Sequence, residues 1–267
     1  MINWAKIDRL AKDWVLEAGK RIKDTIDEEL LIETKSDAND LVTNVDKETE
    51  QFFIHKINEL DPTHKILGEE GFGDKVDSMD GVVWILDPID GTMNFVHQKR
   101  NFAISLAVYE NGVGKIGIIY DVMADDMYHV RPGEGAYLND TKLRPLQNVP
   151  LSKAVIALNA TWIVPNKRID YTKLSPLVKE VRGIRSYGSA AIELAFVASG
   201  RLDGYITMRL SPWDYAAGKL LVEEVGGITS NLKGEPLSLL NKSSLFVGSP
   251  KIHEEILEKY LDSYEGI

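Results

Sequence analysis

No cysteine occurs among the 267 residues of the chain. That single absence excludes disulfides, thiolate metal sites and cysteine nucleophiles together. Long apolar runs are missing too: none approaches the roughly 18 residues that a membrane-spanning helix needs. The first twenty residues, MINWAKIDRLAKDWVLEAGK, are charged and amphipathic, without the apolar stretch of a signal peptide. A cytoplasmic protein with no membrane partner is therefore expected. Basic residues are in deficit, 31 Lys and Arg against 41 Asp and Glu, for a formal net charge of −10. Nucleic-acid binders carry a basic footprint, so nucleic acid is not an expected partner. An acidic protein with clustered carboxylates would also repel an anionic ligand unless a cation stood between them.

What is present has the balance of a globular protein: 44% hydrophobic and 27% charged residues. The length suits one large domain or two closely packed halves. Trp4, Ile7, Leu10, Ala11, Trp14, Val15, Ala18 and Ile22 recur at helical spacing, which predicts an amphipathic helix from residue 3 to about 30. TNVDKETEQFFIHKINEL, residues 43–60, reads as a second helix, opened by a capping box from Thr43 to Asp46. DGVVWILDP, residues 80–88, is a continuous apolar run bounded by turn residues, the pattern of a strand buried on both faces. FAISLAVYE and VGKIGIIYD flank Asn111-Gly112 as a hairpin, and MYHV with GAYLN extend it as a meander. The stretch RPLQNVPLS, residues 144–152, divides the chain into a first half, 1–148, and a second, 149–267. In the second half, KAVIALNA and GYITM read as strands, and residues 186–200 and 214–225 as helices, the latter closed by Gly226-Gly227. Helices, then strands, then alternating elements predict a layered α/β or α+β architecture.

Acidic residues stand where the chain changes element. In WILDPIDGTMNF, residues 84–95, Asp87 and Asp90 close the buried strand; Asp46 lies in the first turn of the second helix. Glu69 and Glu70 sit in the glycine-flanked loop of KILGEEGFG, and Asp214 opens the helix after Pro212. Each has an innocent reading: Asp46 as the acid of the capping box, Asp214 as an N-cap, the Glu pair as a solvated face, Asp90-Gly91 as a turn. Two charges ending a buried strand resist that reading, because burying a charge is costly unless it is paired or metal-bound. Carboxylates at strand ends hold hard cations such as Mg²⁺, and two ions about 4 Å apart clamp the attacking and leaving oxygens of a phosphoryl transfer. Gly91 admits a phosphate close to the backbone, and Thr92 offers an N–H and a hydroxyl. Phosphate monoesters need accelerations up to about 10²¹, whereas a positioned general base contributes about 10²–10⁴. A phosphatase built on these residues is therefore metal-dependent. The D-x-D-G-T pattern of haloacid dehalogenase phosphatases does not fit, since two residues separate Asp87 from Asp90. An EF-hand fails as well, because the twelfth position from Asp87 is Gln98. His97, near the motif, reads as ordinary structure.

DPIDGTMNF and WDYAAG with its trailing EVGG resemble the two signatures of the inositol monophosphatase family. DLVTNVDKETE, ILGEEGF and IRSYGSAA stand in the family's order, so the resemblance spans residues 35–227. It implies a layered αβαβα α+β fold, a homodimer, a requirement for two to three Mg²⁺ ions and inhibition by lithium. By resemblance, Glu69 and Asp87, with the Ile89 carbonyl, would bind one ion. Asp87, Asp90 and Asp214 would bind the second, and Glu69 would contact a weaker third. Gly91 and Thr92 would hold the phosphate, and Asp46 with Thr92 would pair beside the nucleophilic water, which Thr92 and Glu69 help activate. Lys35 matches a basic position in a loop that closes the site, and Gly188, Ser189 and Ala190 line its alcohol end. The animal enzymes' Glu that bonds the inositol ring is replaced here by Thr207, with Arg209 nearby as a surface cation or as a partner for a more anionic substrate. Inositol monophosphate leads as substrate, ahead of the 2′-phosphate of NADP(H) and fructose 1,6-bisphosphate. A non-catalytic cation-binding protein is the alternative from another class.

Overall fold

The computed structural model describes residues 2–28, 30–34 and 41–261. Lys35 lies outside them. The chain runs through α1 (Trp4–Thr25), a two-stranded ribbon of β1 (Ile32–Thr34) and β2 (Leu41–Thr43), and α2 (Asn44–Leu60). Next come β3 (Lys65–Gly68), β4 (Val82–Asp90), α3 (Thr92–Gln98), β5 (Ala103–Glu110), β6 (Val113–Asp121), β7 (Asp126–Arg131), β8 (Gly135–Leu138) and β9 (Thr141–Lys142). The remainder comprises β10 (Val155–Leu158), α4 (Tyr171–Glu180), β11 (Gly183–Arg185), α5 (Ala190–Ala198), β12 (Gly204–Leu210), α6 (Pro212–Glu224), β13 (Ile228–Ser230), β14 (Ser243–Gly248) and α7 (Pro250–Ile256).

Strands β3 to β9 form a seven-stranded sheet in chain order, antiparallel except for the parallel pair β3–β4. A second sheet of five strands has the order β11-β10-β12-β14-β13. Alternation along β4 explains how the first sheet is covered on both faces. Val82, Trp84 and Leu86 pack against Ala11, Trp14, Val15, Phe53 and Ile57 of α1 and α2. Val83 and Ile85 face the other way, onto α5 and α6, whose far side packs on Ala157, Tyr205, Leu245 and Val247 of the second sheet. Ile156, Leu158, Ile206 and Phe246 then cover Leu174, Leu177, Ile252 and Ile256 of α4 and α7. The layers are therefore α1/α2, sheet, α5/α6, sheet, α4/α7: the expected αβαβα stack.

Among the described residues, no helix is long and apolar enough to cross a membrane. Asn111 and Gly112 both have positive φ, 52° and 77°, as a two-residue hairpin requires. Some expected boundaries move. Helix α1 stops at Thr25 rather than near 30, because Asp27 and Glu28 follow and acids oppose the negative end of a helix dipole. The helical pattern at 186–200 narrows to α5, since Gly188 takes φ +77° and Ser189 serves as N-cap. Asp214 is the third residue of α6, in a capping box with Ser211, rather than its N-cap.

Candidate active site

Strand β4 ends in a bulge. Asp87 pairs with Ser105 and Asp90 with Ala103, so three steps along β4 answer two along β5. Residues three apart on a regular strand point to opposite faces; the extra residue restores parity and turns both carboxylates to one side. A bulge is also where an interior strand tolerates proline, here Pro88. That side is fixed by Ser105, opposite Asp87, whose hydroxyl donates to the Trp213 carbonyl at 3.1 Å. Asp214, one residue on, is thereby carried to the same place from the second half of the chain. One oxygen from each of Asp87, Asp90 and Asp214 lies within 4.8 Å of the others.

The three are held individually. Asp87 accepts from the Ile89 amide at 3.0 Å, and Asp214 from the Ser211 amide at 2.7 Å. Asp90 accepts from the Ala191 amide at 2.7 Å and from the Ser189 hydroxyl. Glu69 follows β3 directly; its amide donates to the Leu86 carbonyl at 3.2 Å, which sets it beside Asp87. Burial, and then the charges of Glu69, Asp90 and Asp214, push the Asp87 carboxyl well above its ordinary range. Burial, Asp90 and Glu69 do the same to Asp214. Asp90 rises to about 6, burial outweighing its bonds from Ser189 and Ala191. Protons or cations must neutralise such a cluster. An all-oxygen donor set of this charge fits Mg²⁺.

Beside it lies a second constellation. The Asp46 carboxylate closes the α2 capping box, accepting from the Thr43 amide at 2.9 Å and from its hydroxyl. Its other oxygen accepts from the Thr92 hydroxyl at 3.0 Å. One oxygen of Asp46 thus closes the cap, and the other is left for Thr92. Burial raises Asp46 to about 6 against those bonds. The Thr92 hydroxyl also lies 3.1 Å from the Ile89 carbonyl.

Gly91 links these groups with φ +97°, and a Cβ there would come within 3.2 Å of the Asn101 carbonyl. The opposing wall is the turn at Gly188, fastened by Asn94, whose side-chain amide donates to the Tyr187 and Asn101 carbonyls at 2.7 and 2.8 Å. Ser189 and Ala190 are buried on this wall, with Ser189 bridging Asp90 and the first turn of α5. Thr207 is buried on β12 with its hydroxyl against Tyr205, and Arg209 is exposed. Sequence reasoning missed Asn94, Glu50 and Glu193. Glu193 accepts from the Tyr187 amide at 2.6 Å, and burial lifts it to about 7. Both acids carried a signal: Glu50 falls in the helical stripe of Phe53 and Ile57, and Glu193 is the sole charge in AAIELAFVA.

The family model of the inositol monophosphatases matches residues 3–265. Inositol-1-monophosphatase of Bacillus subtilis (strain 168) is 61% identical over 261 residues, 98% of each chain. Among solved structures, SaIMPase-II, a staphylococcal enzyme, superposes in its inositol monophosphate complex with a TM-score of 0.86 at 43% identity, over 94% of this chain and 92% of that one. Its 2′AMP complex gives 0.89 at 44%, over 96% and 95%. An IMPase/NADP phosphatase matches at 29% identity: TM-score 0.91 with NADP and Ca²⁺, over 100% and 98%, and 0.88 with Mg²⁺ and phosphate, over 98% and 97%. Agreement over nearly the whole length, around a cluster of buried carboxylates, makes this chain a member of the inositol monophosphatase family.

Proposed function

We propose that the protein is a Mg²⁺-dependent phosphomonoesterase whose leading substrate is inositol monophosphate. The convergence of Asp87, Asp90 and Asp214 beside a Thr92–Asp46 pair carries the reading. Glu69, Asp87 and the Ile89 carbonyl would hold one ion; Asp87, Asp90 and Asp214 would hold a second, and Glu69 would contact a third. Mg²⁺ at these oxygens supplies positive charge toward phosphoryl oxygens and lowers the pKa of water. The Thr92 hydroxyl donates a hydrogen bond to Asp46, which leaves its oxygen lone pairs free to accept one from the attacking water, and Glu69 would accept alongside it. The amides of Gly91 and Thr92, in the first turn of α3, orient the phosphate. Gly188, Ser189 and Ala190 bound the alcohol, with Lys35, Thr207 and Arg209 as the remaining contacts. A cation store has no use for the Thr92–Asp46 pair, which favours catalysis over a binding role. The reading carries with it the family's homodimer and a cytoplasmic setting.

A threonine where the animal enzymes have glutamate forgoes a charged hydrogen bond of about 1.5–3 kcal/mol, so selectivity for inositol falls by roughly ten- to a hundredfold. That supports the NADP(H) 2′-phosphate and fructose 1,6-bisphosphate as competing substrates, and the 2′AMP and NADP complexes of the relatives support the first of the two. The test is phosphate release from inositol 1-phosphate, NADP⁺ and fructose 1,6-bisphosphate, with and without Mg²⁺ and lithium. Release that needs Mg²⁺ and falls with lithium is expected, with kcat/KM ranking the substrates. No release from any of them by folded, Mg²⁺-binding protein would overturn the proposal.

A further inference from the structure

One buried carboxylate belongs to none of the groups above. Glu50 lies one turn after Asp46 on the same face of α2 and is fully buried. Its two oxygens accept from the backbone of the loop that follows β3: Oε2 from the Glu70 amide at 2.7 Å and Oε1 from the Phe72 amide at 2.9 Å. The loop also crowds it from the other side. A Cβ at Gly68 would fall 2.5 Å from the Glu50 carboxyl carbon. Glu69 is therefore bracketed, with a neighbour pressed against Glu50 on one side and a neighbour bonded to it on the other. The neck of the loop is closed independently, by Ile66 and Asp74 through bonds of 2.8 and 2.7 Å. The Glu69 amide is held to β4 through Leu86 and the neck is closed by Ile66 and Asp74, while Glu50 holds the tip immediately beyond Glu69.

We infer that Glu50 is a positioning residue for Glu69, fixing the backbone from which Glu69 reaches the cation cluster. The inference rests on the proposed role of Glu69 as a ligand. A carboxylate suits the task because both of its oxygens accept, and both partners are N–H donors. Glutamine fills the same volume but turns an NH₂ group toward one of those donors. α2 thus sets two parts of the site from adjacent turns: Asp46 orients Thr92, and Glu50 orients Glu69.

The test is Glu50→Gln, with Mg²⁺ affinity read by titration calorimetry and folding by circular dichroism. Mg²⁺ binding is expected to weaken by about 10–100-fold, the usual consequence of losing a group that orients a metal ligand. In assays, half-maximal rate should need correspondingly more Mg²⁺, while substrate KM at saturating Mg²⁺ stays within about twofold. Phe53→Leu, a core substitution on the same helix, should lower the melting temperature and leave Mg²⁺ affinity unchanged. A folded Glu50→Gln protein with parental Mg²⁺ affinity would overturn the inference, as would an equal loss in Phe53→Leu. Should Glu50→Gln fail to fold, Gly68→Ala decides by the same reading, because its methyl group displaces the Glu50 carboxylate from the other side. Glu69→Gln separates the two claims. If it leaves Mg²⁺ affinity intact, the ligand assignment fails; if it weakens binding and Glu50→Gln does not, only the positioning role fails.

Discussion

Asp87 is the most crowded of the charges, acted on by Glu69, Asp90 and Asp214 while almost fully buried. Replacing it with asparagine removes a repelled charge and keeps the shape. Asp87→Asn should therefore leave the fold intact, with a melting temperature in EDTA equal to or above that of the parent. Activity should fall by roughly 10²–10³-fold, as for loss of one preorganised electrostatic group; near-normal turnover would remove Asp87 from the ligand set. Thr92 separates chemistry from packing in a similar way. Thr92→Ala deletes the hydroxyl that Asp46 accepts from, and kcat should drop by about 10²–10⁴-fold, the range of a general base. Thr92→Ser keeps the hydroxyl and should retain most of kcat. At this scale the sequence was informative where Asp87 and Asp90 closed the apolar run of β4, but the equally isolated Glu193 within AAIELAFVA was passed over. It said less about Ser189, whose hydroxyl reaches Asp90 across 99 positions of chain, a contact no local pattern encodes.

Elements decide which way those residues point. The end of β4 as a buried strand was legible in residues 80–88, but the bulge was not, because register depends on β5 rather than on β4 itself. The capping box of α2 and the Asn-Gly hairpin were legible because both are local. α4, with Pro176 inside it, and α7 escaped notice: each draws its stability from packing on the second sheet rather than from a clean period. The turn into α3 gives a test. Gly91 and Gly133 both have positive φ, 97° and 85°, but only Gly91 lies in the site. Alanine at either should cost about 1–2 kcal/mol for the left-handed backbone, and at Gly91 more, because the added methyl group would crowd the Asn101 carbonyl, whereas at Gly133 it meets nothing. Activity should be lost in Gly91→Ala and kept in Gly133→Ala. The carboxylate-bearing elements also predict a pH dependence. Asp46 and Asp90 rise from 3.8 to about 6, and Asp87 and Asp214 are also held well above the ordinary carboxylate range, so the folded state holds protons that the unfolded chain releases. The contribution of Asp46 and Asp90 to stability is fully present below 3.8 and lost as pH climbs through about 6, and that of Asp87 and Asp214 likewise falls as pH rises. In the proposed role Mg²⁺ would replace the protons of Asp87, Asp90 and Asp214, so the rise in melting temperature on adding Mg²⁺ should be small at acid pH and grow steadily into the alkaline range. His64, His129 and His253, depressed by burial, act with the opposite sign, losing stability as pH falls from 6.5. They cancel when the measurement is the difference made by Mg²⁺.

On the scale of the whole molecule, we propose that the halves 1–148 and 149–267 form one cooperative unit. The core that α5 and α6 share with both sheets supports this, as does Arg201, which stacks on Phe196 and donates to the Tyr128 hydroxyl at 2.6 Å. Unfolding should be a single transition, with tryptophan fluorescence and circular dichroism coinciding; two separated transitions would show independent domains. The division of labour between the sheets has a consequence in time as well as in space. Asp214 arrives only after about four-fifths of the chain has been made. A nascent chain that has completed the first sheet already carries Asp87 and Asp90, yet it lacks the third carboxylate of the cluster and the serine that steadies Asp90. On the proposed ligand role of Asp214, turnover should not begin on the ribosome before α6 has been made, and a chain truncated before α6 should be silent rather than unregulated.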